Sequence, residues 1–309
     1  MVRIIAFFVG LGFAGVLLLS FFFNMSDFLR HPPEATAESE FHLEHKHLAL
    51  ASDGPFGKFD RQQLQRGLQV YKEVCSACHS LKLVAFRDLE ALGYNEPELK
   101  AFAKQWDVAD INPENGEPVT RKGTPADHFP PPFPNETAAR ANNNNALPPD
   151  LSLITKAREG GAPYVYSLLT GYRDPKTYRN EKGKPLPAVN QPPQNLHFNP
   201  YFANLNLAMP PPLASDGQVT YADGTRSSVD QMAKDVAAFL VWTAEPKLEN
   251  RHRAGIATLI FLLLATVFGY FAYRQIWAEA KRKVRVTGPL EAKNQAKSRS
   301  AKSKQGVKG

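Results

Sequence analysis

The sequence predicts a mainly α-helical domain with long loop insertions, followed by one C-terminal transmembrane helix. Three observations predict it. Apolar residues recur at helical spacing near both ends of the central region, at Leu64, Leu68, Tyr71 and Cys75 and again at Met232, Val236, Phe239 and Leu240. Alternating strand patterns are scarce, and many of the 25 prolines cluster in the middle of the chain, where long ordered loops are expected. The run Gly255–Tyr273, GIATLIFLLLATVFGYFAY, holds no charged residue and is long enough to cross a hydrocarbon core of ~30 Å at ~1.5 Å per residue.

From the N-terminus, Arg3 precedes the apolar stretch Ile4–Phe23. A positive start and an apolar run are the pattern of a secretory signal. The stretch is long for one, and the nearest small-x-small cleavage candidates are Ala35-Thr36-Ala37 and Ala49-Leu50-Ala51. Residues 1–23 are therefore read as a signal sequence or a retained N-terminal membrane helix. Gly10, Gly12 and Gly15 fit G-x-G-x-x-G, but no strand precedes them and the window is apolar throughout, which excludes a dinucleotide site. Residues 24–58 read as a polar linker. Its His42, His45 and His47 allow metal binding, but a solvated linker is the better reading because no Cys or carboxylate cage accompanies them.

The main folded domain is placed at residues 59–250. Asp60 is a candidate N-cap for a helix over 60–81. Residues 110–150 and 174–215 are dense in Pro and Asn and read mostly as loop, with short helices over Leu151–Arg158 and Pro163–Leu169 between them. Ser228 caps an amphipathic helix that ends near Pro246. The membrane anchor is 255–273, and 274–309 is a basic tail. Eleven Lys/Arg oppose only Glu279 and Glu291 there, so nine net positive charges sit on the tail; the whole chain is +7, which leaves −2 on the rest. Such a tail directly after an apolar span fits the positive-inside rule better than a nucleic-acid surface, so no nucleic-acid partner is expected. The tail is then cytoplasmic and the preceding domain lies outside the cytoplasm. Beyond Lys283 its composition reads as disordered and suited to anionic lipid.

The two cysteines lie three positions apart in Cys75-Ser76-Ala77-Cys78-His79. C-x-x-C-H is the haem-attachment signature. Two thiols at this spacing add to the two vinyl groups of one haem c, and His79 falls under the ring as proximal iron ligand. A redox C-x-x-C does not need the adjacent His, and a zinc site needs more ligands than lie nearby. An electron carrier takes a second strong ligand, and Met opposite His raises the potential. Of four methionines, Met1 and Met25 adjoin the N-terminal span and Met232 sits on an apolar helix face. Met209 lies in a loop stiffened by Pro210, Pro211 and Pro212. It is the preferred sixth ligand, with His128 and His197 as rivals. A haem ligated on both faces transfers electrons through its edge rather than binding substrate. No paired-carboxylate site, serine triad or phosphate loop competes with that reading.

At this point the sequence resembles the cytochrome c1 family, the haem subunit of the quinol–cytochrome c reductase (bc1) complex, in its alphaproteobacterial form. The likeness runs from about residue 59 to 275 through RGLQVYKEVCSACHSL (Arg66–Leu81), AFRDL (Ala85–Leu89), AARANNNNALPPDLSLITKAREGG (Ala138–Gly161) and YVYSLLTGY (Tyr164–Tyr172). NPYF (Asn199–Phe202), AMPPPL (Ala208–Leu213), DGT (Asp223–Thr225) and QMAKDVAAFLVWTAEP (Gln231–Pro246) complete it. The resemblance implies a class I cytochrome c fold with insertions, in which Gly67 and Tyr71 meet a face bearing Val236 and Leu240. It also implies that Pro148 and Pro149 pack on the haem, that Arg158 pairs with a propionate, and that Tyr164 and Asn143 line the pocket. For Arg158 a plain helix C-terminal charge, and for the prolines simple loop stiffening, remain as alternatives. The implied role is electron transfer from a Rieske iron–sulfur protein to a cytochrome c, beside cytochrome b, in a dimeric complex. The setting is the inner membrane, with the haem domain on the periplasmic side. The chain is then one component of an enzyme rather than an enzyme alone. A membrane-anchored cytochrome c donating to a terminal oxidase is the alternative.

Overall fold

The computed structural model describes residues 2–31, 36–287 and 296. The chain divides into two compact units, one of residues 1–50 with 60–246 and one of 51–59 with 247–309. Among the described residues the helical content dominates, and the strands form two small antiparallel pairs.

In the first unit, α1 (Val2–Arg30) is one continuous apolar helix with no buried residue. It is long enough to cross a membrane. α2 (Ala37–Phe41) is capped by Thr36, whose side chain accepts from the Ser39 N–H. α3 (Arg61–Glu73) starts where Asp60 accepts hydrogen bonds from the N–H groups of Gln62 and Gln63, and it buries Leu64, Gly67, Leu68, Val70 and Tyr71. The remaining helices are α4 (Glu96–Ala103), α5 (Glu136–Asn142), α6 (Ile154–Ala157), α7 (Gly161–Leu169) and α8 (Val229–Ala244). The Ser228 side chain accepts from the Gln231 N–H and so caps α8, as its sequence position predicts.

α3 crosses α8, and the crossing organises the core. A Cβ at Gly67 would lie 2.1 Å from the Asp235 carbonyl oxygen and 2.6 Å from the Phe239 Cβ, so only glycine permits this approach. The ring of Tyr71 packs on Phe239 at 5.9 Å. The face that meets Gly67 is thus Asp235–Phe239 rather than the expected Val236–Leu240. One residue further turns a helical position by about 100°, which aims Val236 and Leu240 into the cavity described below. Arg66 ties the crossing together, bonding the fully buried Asp235 at 2.9 Å and Asp223 at 2.8 Å. Beside it, Phe86, Phe102, Trp106 and Phe129 form an aromatic cluster, with Phe86 and Phe129 at 4.7 Å.

Three local expectations are corrected. The helix expected over 60–81 stops at Glu73, and Cys75–Ala77 is a 3-10 turn in which the N–H groups of Cys78 and His79 both donate to the Cys75 carbonyl. Residues 110–150 are not simply loop. β1 (Asp107–Ile111) pairs antiparallel with β2 (Pro118–Lys122), with Ala109 opposite Thr120, and α5 follows. The segment before the haem motif is not a solvated linker over its whole length. Phe41 is fully buried with Leu186, Phe198 and Leu205, beside the pair β3 (His197–Phe198) and β4 (Asn206–Leu207). Leu43 N–H donates to the Pro200 carbonyl and Lys46 N–H to Ser167 Oγ, both at 2.8 Å.

In the second unit, α9 (Leu248–Thr287) runs unbroken through the apolar stretch, and its Leu248–Ala280 portion is long and apolar enough to span a bilayer. Most of the basic tail, 288–309 apart from 296, lies outside the described residues, as does Ala35 of one cleavage candidate.

Candidate haem site

One cavity of about 520 Å³ collects every site residue expected from the sequence: Cys75, Cys78, His79, Asn143, Pro148, Pro149, Arg158, Tyr164 and Met209. That is a volume typical of cofactor sites, ~300–1,000 Å³. The walls between them are apolar, from Leu147, Leu151, Ile154, Val165, Leu168, Leu207, Val236 and Leu240. None of these wall residues is a site residue in the sequence reading, which places Val236 and Leu240 on the face meeting Gly67 and Tyr71 instead.

The floor of the site is the turn that leaves α3. Tyr71 O–H donates to the His79 carbonyl at 3.1 Å and holds the turn against the core. His79 Nδ1 lies 2.8 Å from the Pro149 carbonyl oxygen. With the Nδ1–H donating there, the Nε2 lone pair is left for a metal, the usual arrangement by which a second partner fixes a ligating imidazole. Burial lowers the His79 pKa and so favours the neutral ring that a metal needs. Burial, reinforced by the neighbouring Cys78, pushes the Cys75 thiol up to about 12. The depressed thiol pKa that a redox C-x-x-C uses is not found at Cys75.

The Pro148-Pro149 loop is pinned by its neighbour Asp150. Its carboxylate accepts from Ser80 Oγ (2.8 Å), the Lys82 N–H (2.9 Å) and the Ser152 N–H (2.9 Å). Burial acts to raise the Asp150 pKa, but these donors outweigh it and the carboxyl titrates below its ordinary value. Ser80, Asp150 and Ser152 were missed in the sequence; the Asp of the PPDL block was the available signal. Tyr172 O–H donates to the Met209 carbonyl at 3.0 Å and fixes the loop that carries the thioether. Asn143 Nδ2 donates to the Ala139 carbonyl and closes α5. Arg158 is exposed where it borders the cavity, and one guanidinium nitrogen donates to the Ala157 carbonyl at 3.3 Å.

The rival ligands are elsewhere. His128 pairs with Ala85 in an isolated bridge, His197 lies in β3, and neither lines the cavity. Among the described residues no cluster of three His, Cys, Asp or Glu side chains could hold a metal ion. His45 instead packs edge-on against Tyr164 at 5.4 Å and lies directly over Gly160. The residues therefore fit a haem: two thiols and an imidazole on one turn, a thioether on a pinned loop, and apolar walls between.

Comparison with known proteins decides the family. The profile of the Cytochrome C1 family matches residues 50–280. The chain belongs to the cytochrome c1 family. Among its relatives, cytochrome c1 of Rhodospirillum rubrum is 46% identical over 237 residues, covering 74% of this chain and 85% of the relative. "Cytochrome c1, heme protein, mitochondrial" of Saccharomyces cerevisiae is 42% identical over 256 residues, 83% of this chain and 79% of the relative. "Cytochrome b/c1" of Bradyrhizobium diazoefficiens is 44% identical over 248 residues, 74% of this chain but 34% of that longer relative. A cytochrome c1 family member is a haem electron-transfer subunit of the bc1 complex, and this one is anchored to a membrane by its C-terminal apolar helix.

Proposed function

We propose that this chain holds a single haem c through thioether bonds from Cys75 and Cys78, with His79 and Met209 as the residues that would ligate its iron. In this reading it passes electrons from a Rieske iron–sulfur protein to a cytochrome c, beside cytochrome b in a dimeric complex. The observation that carries the reading is the meeting of Cys75, Cys78, His79 and Met209 on one apolar cavity. When bound, the haem supplies a one-electron iron couple. The chain's own residues do the rest. Pro149 orients the His79 ring through its carbonyl, and Tyr172 holds the Met209 loop. The apolar walls keep water from the ring faces and so favour the less charged, reduced state. Arg158, at the exposed border of the cavity, is suited to pair with a propionate. The domain lies on the periplasmic side of the inner membrane and the tail is cytoplasmic, a reading supported by the basic residues after the span.

Met209→Leu tests the site. The swap nearly conserves volume, so the fold cost is under about 1.5 kcal/mol. The expected outcome is a lower reduction potential and carbon monoxide binding to the reduced protein. An unchanged spectrum and potential would remove Met209 from the ligand set. Isolation in mild detergent tests the assembly: cytochrome b and a Rieske protein are expected to co-purify, and an anchored cytochrome isolated without either would favour a terminal-oxidase donor.

A further inference from the structure

Residues 51–59 form a closed loop in the second compact unit. The Lys58 N–H donates to the Ala51 carbonyl at 2.9 Å, and the Gly57 N–H donates to the Gly54 carbonyl at 3.2 Å. Gly54-Pro55-Phe56-Gly57 is therefore a hydrogen-bonded β-turn, and proline at its first central position pre-sets the backbone. A Cβ at Gly57 would lie 2.2 Å from the Ser52 carbonyl oxygen, so the loop closes tightly on its own base. This turn holds Phe56 at its apex, 77% exposed. An aromatic ring on a flexible tip could fold back; here the turn holds it outward.

The loop is fastened to the first turns of α9. The Phe59 N–H donates to Glu249 Oε1 at 2.9 Å, and His252 Nδ1 lies 3.3 Å from the Gly57 carbonyl oxygen. The order of these bonds gives the loop a direction. From Phe59 back to Gly57 the partner moves from residue 249 to 252, about 4.5 Å along the helix towards its apolar stretch. Gly57, the neighbour of Phe56, is thus held at His252, three residues before the uncharged run that begins at Gly255. Aromatic rings concentrate at that depth, where the hydrocarbon meets the headgroups.

We propose that Phe56 is a membrane-interface anchor, seated at the headgroup–acyl boundary of the bilayer that α9 enters. The 51–59 loop then gives the chain a second lipid contact beside its helix and limits the tilt available to α9 at that surface. The occupant is the lipid itself, because the loop is fastened to the turns of α9 that lead directly into the span.

The test is spin-label accessibility on the full-length haem-loaded chain, reconstituted in phosphatidylcholine–phosphatidylglycerol vesicles. Phe56→Cys and, as a water-exposed reference, Val189→Cys (Val189 is 90% exposed) are labelled, with the unsubstituted chain labelled in parallel as background. Collisions with oxygen, which partitions into lipid, are compared with collisions with a water-soluble nickel chelate. The expected result is an oxygen-to-nickel ratio several-fold higher at 56 than at 189. Equal ratios at the two positions would place Phe56 in water and overturn the proposal. In the assembled complex, a label at 56 shielded from both reagents would overturn it in favour of a protein partner.

Discussion

The helical wall of the haem cavity, with Val236 and Leu240 on α8 and Val165 and Leu168 on α7, is set by close packing against the core. The loop wall, residues 143–149 and 207–212, is set by a few hydrogen bonds: His79 to the Pro149 carbonyl, Tyr172 to the Met209 carbonyl, and the neighbouring Asp150 carboxylate to its three donors. The two walls respond differently to change. A flaw in the helical wall is felt through the α3–α8 crossing, which belongs to the whole domain. A flaw in the loop wall stays where it is and alters ligation before it alters the fold.

Four substitutions or conditions can break or sharpen that contrast. Asp235→Ala has the largest expected effect. It removes the buried carboxylate that accepts from Arg66 and from Gln231 Nε2, and stripping one partner from such a buried pair costs about 3–5 kcal/mol. Thermal unfolding followed by far-ultraviolet circular dichroism reads it. Gly67→Ala follows at about 3 kcal/mol, because the new methyl collides with backbone at Asp235, which cannot swing aside. Tyr172→Phe tests the loop wall. It removes one hydrogen bond to the Met209 carbonyl, about 1 kcal/mol, yet is expected to speed imidazole binding to the oxidised haem. A Tyr172→Phe melting loss as large as that of Gly67→Ala, with unchanged imidazole kinetics, would end the distinction between the walls.

The smallest expected effect is acid loosening of the β1–β2 hairpin. Asp127 accepts from Arg121 and from the Thr124 N–H and hydroxyl, and the Arg121 guanidinium holds its carboxyl well below the usual carboxylate range. A folded-state pKa below the unfolded value of about 3.9 means that its stabilisation is fully present above that pH and is lost as pH falls through the folded value. Hydrogen exchange at the hairpin amides is expected to rise in strong acid before that of α3 and α8. Exchange rising in α3 and α8 first would reverse the order.

The helices that fix the first wall were legible where local chemistry declares itself. Asp60 and Ser228 announce α3 and α8, and the apolar spacing behind each cap gives the buried face. The hairpin was not legible, because nearly all of β1 and β2 is exposed and no apolar alternation marks it. The packed segment around Phe41–Leu50 escaped for another reason. It is held by backbone bonds to Pro200 and Ser167, more than a hundred residues away, and such bonds leave no trace in a local pattern. The Cys75–His79 turn was legible from C-x-x-C-H itself, Met209 from the placement of the other methionines and its stiff Pro210–Pro212 loop, and the Pro148-Pro149 loop from block order alone, since no periodicity singles out a loop. Gly67 was read correctly as a site of close approach, but the partner face was off by one helical position.

The α3–α8 crossing also sets a clock on biosynthesis. Gly67 meets Phe239 roughly 170 residues later in the chain, so the core that encloses the Cys75–His79 turn cannot close until α8 has been made. At a synthesis rate of about 5–20 residues per second that is a delay of about 10–30 s. Throughout it the two thiols and the imidazole sit on an open strand of nascent polypeptide, within reach of whatever machinery delivers the prosthetic group. The last helix of the first unit to appear is the one that shuts the door.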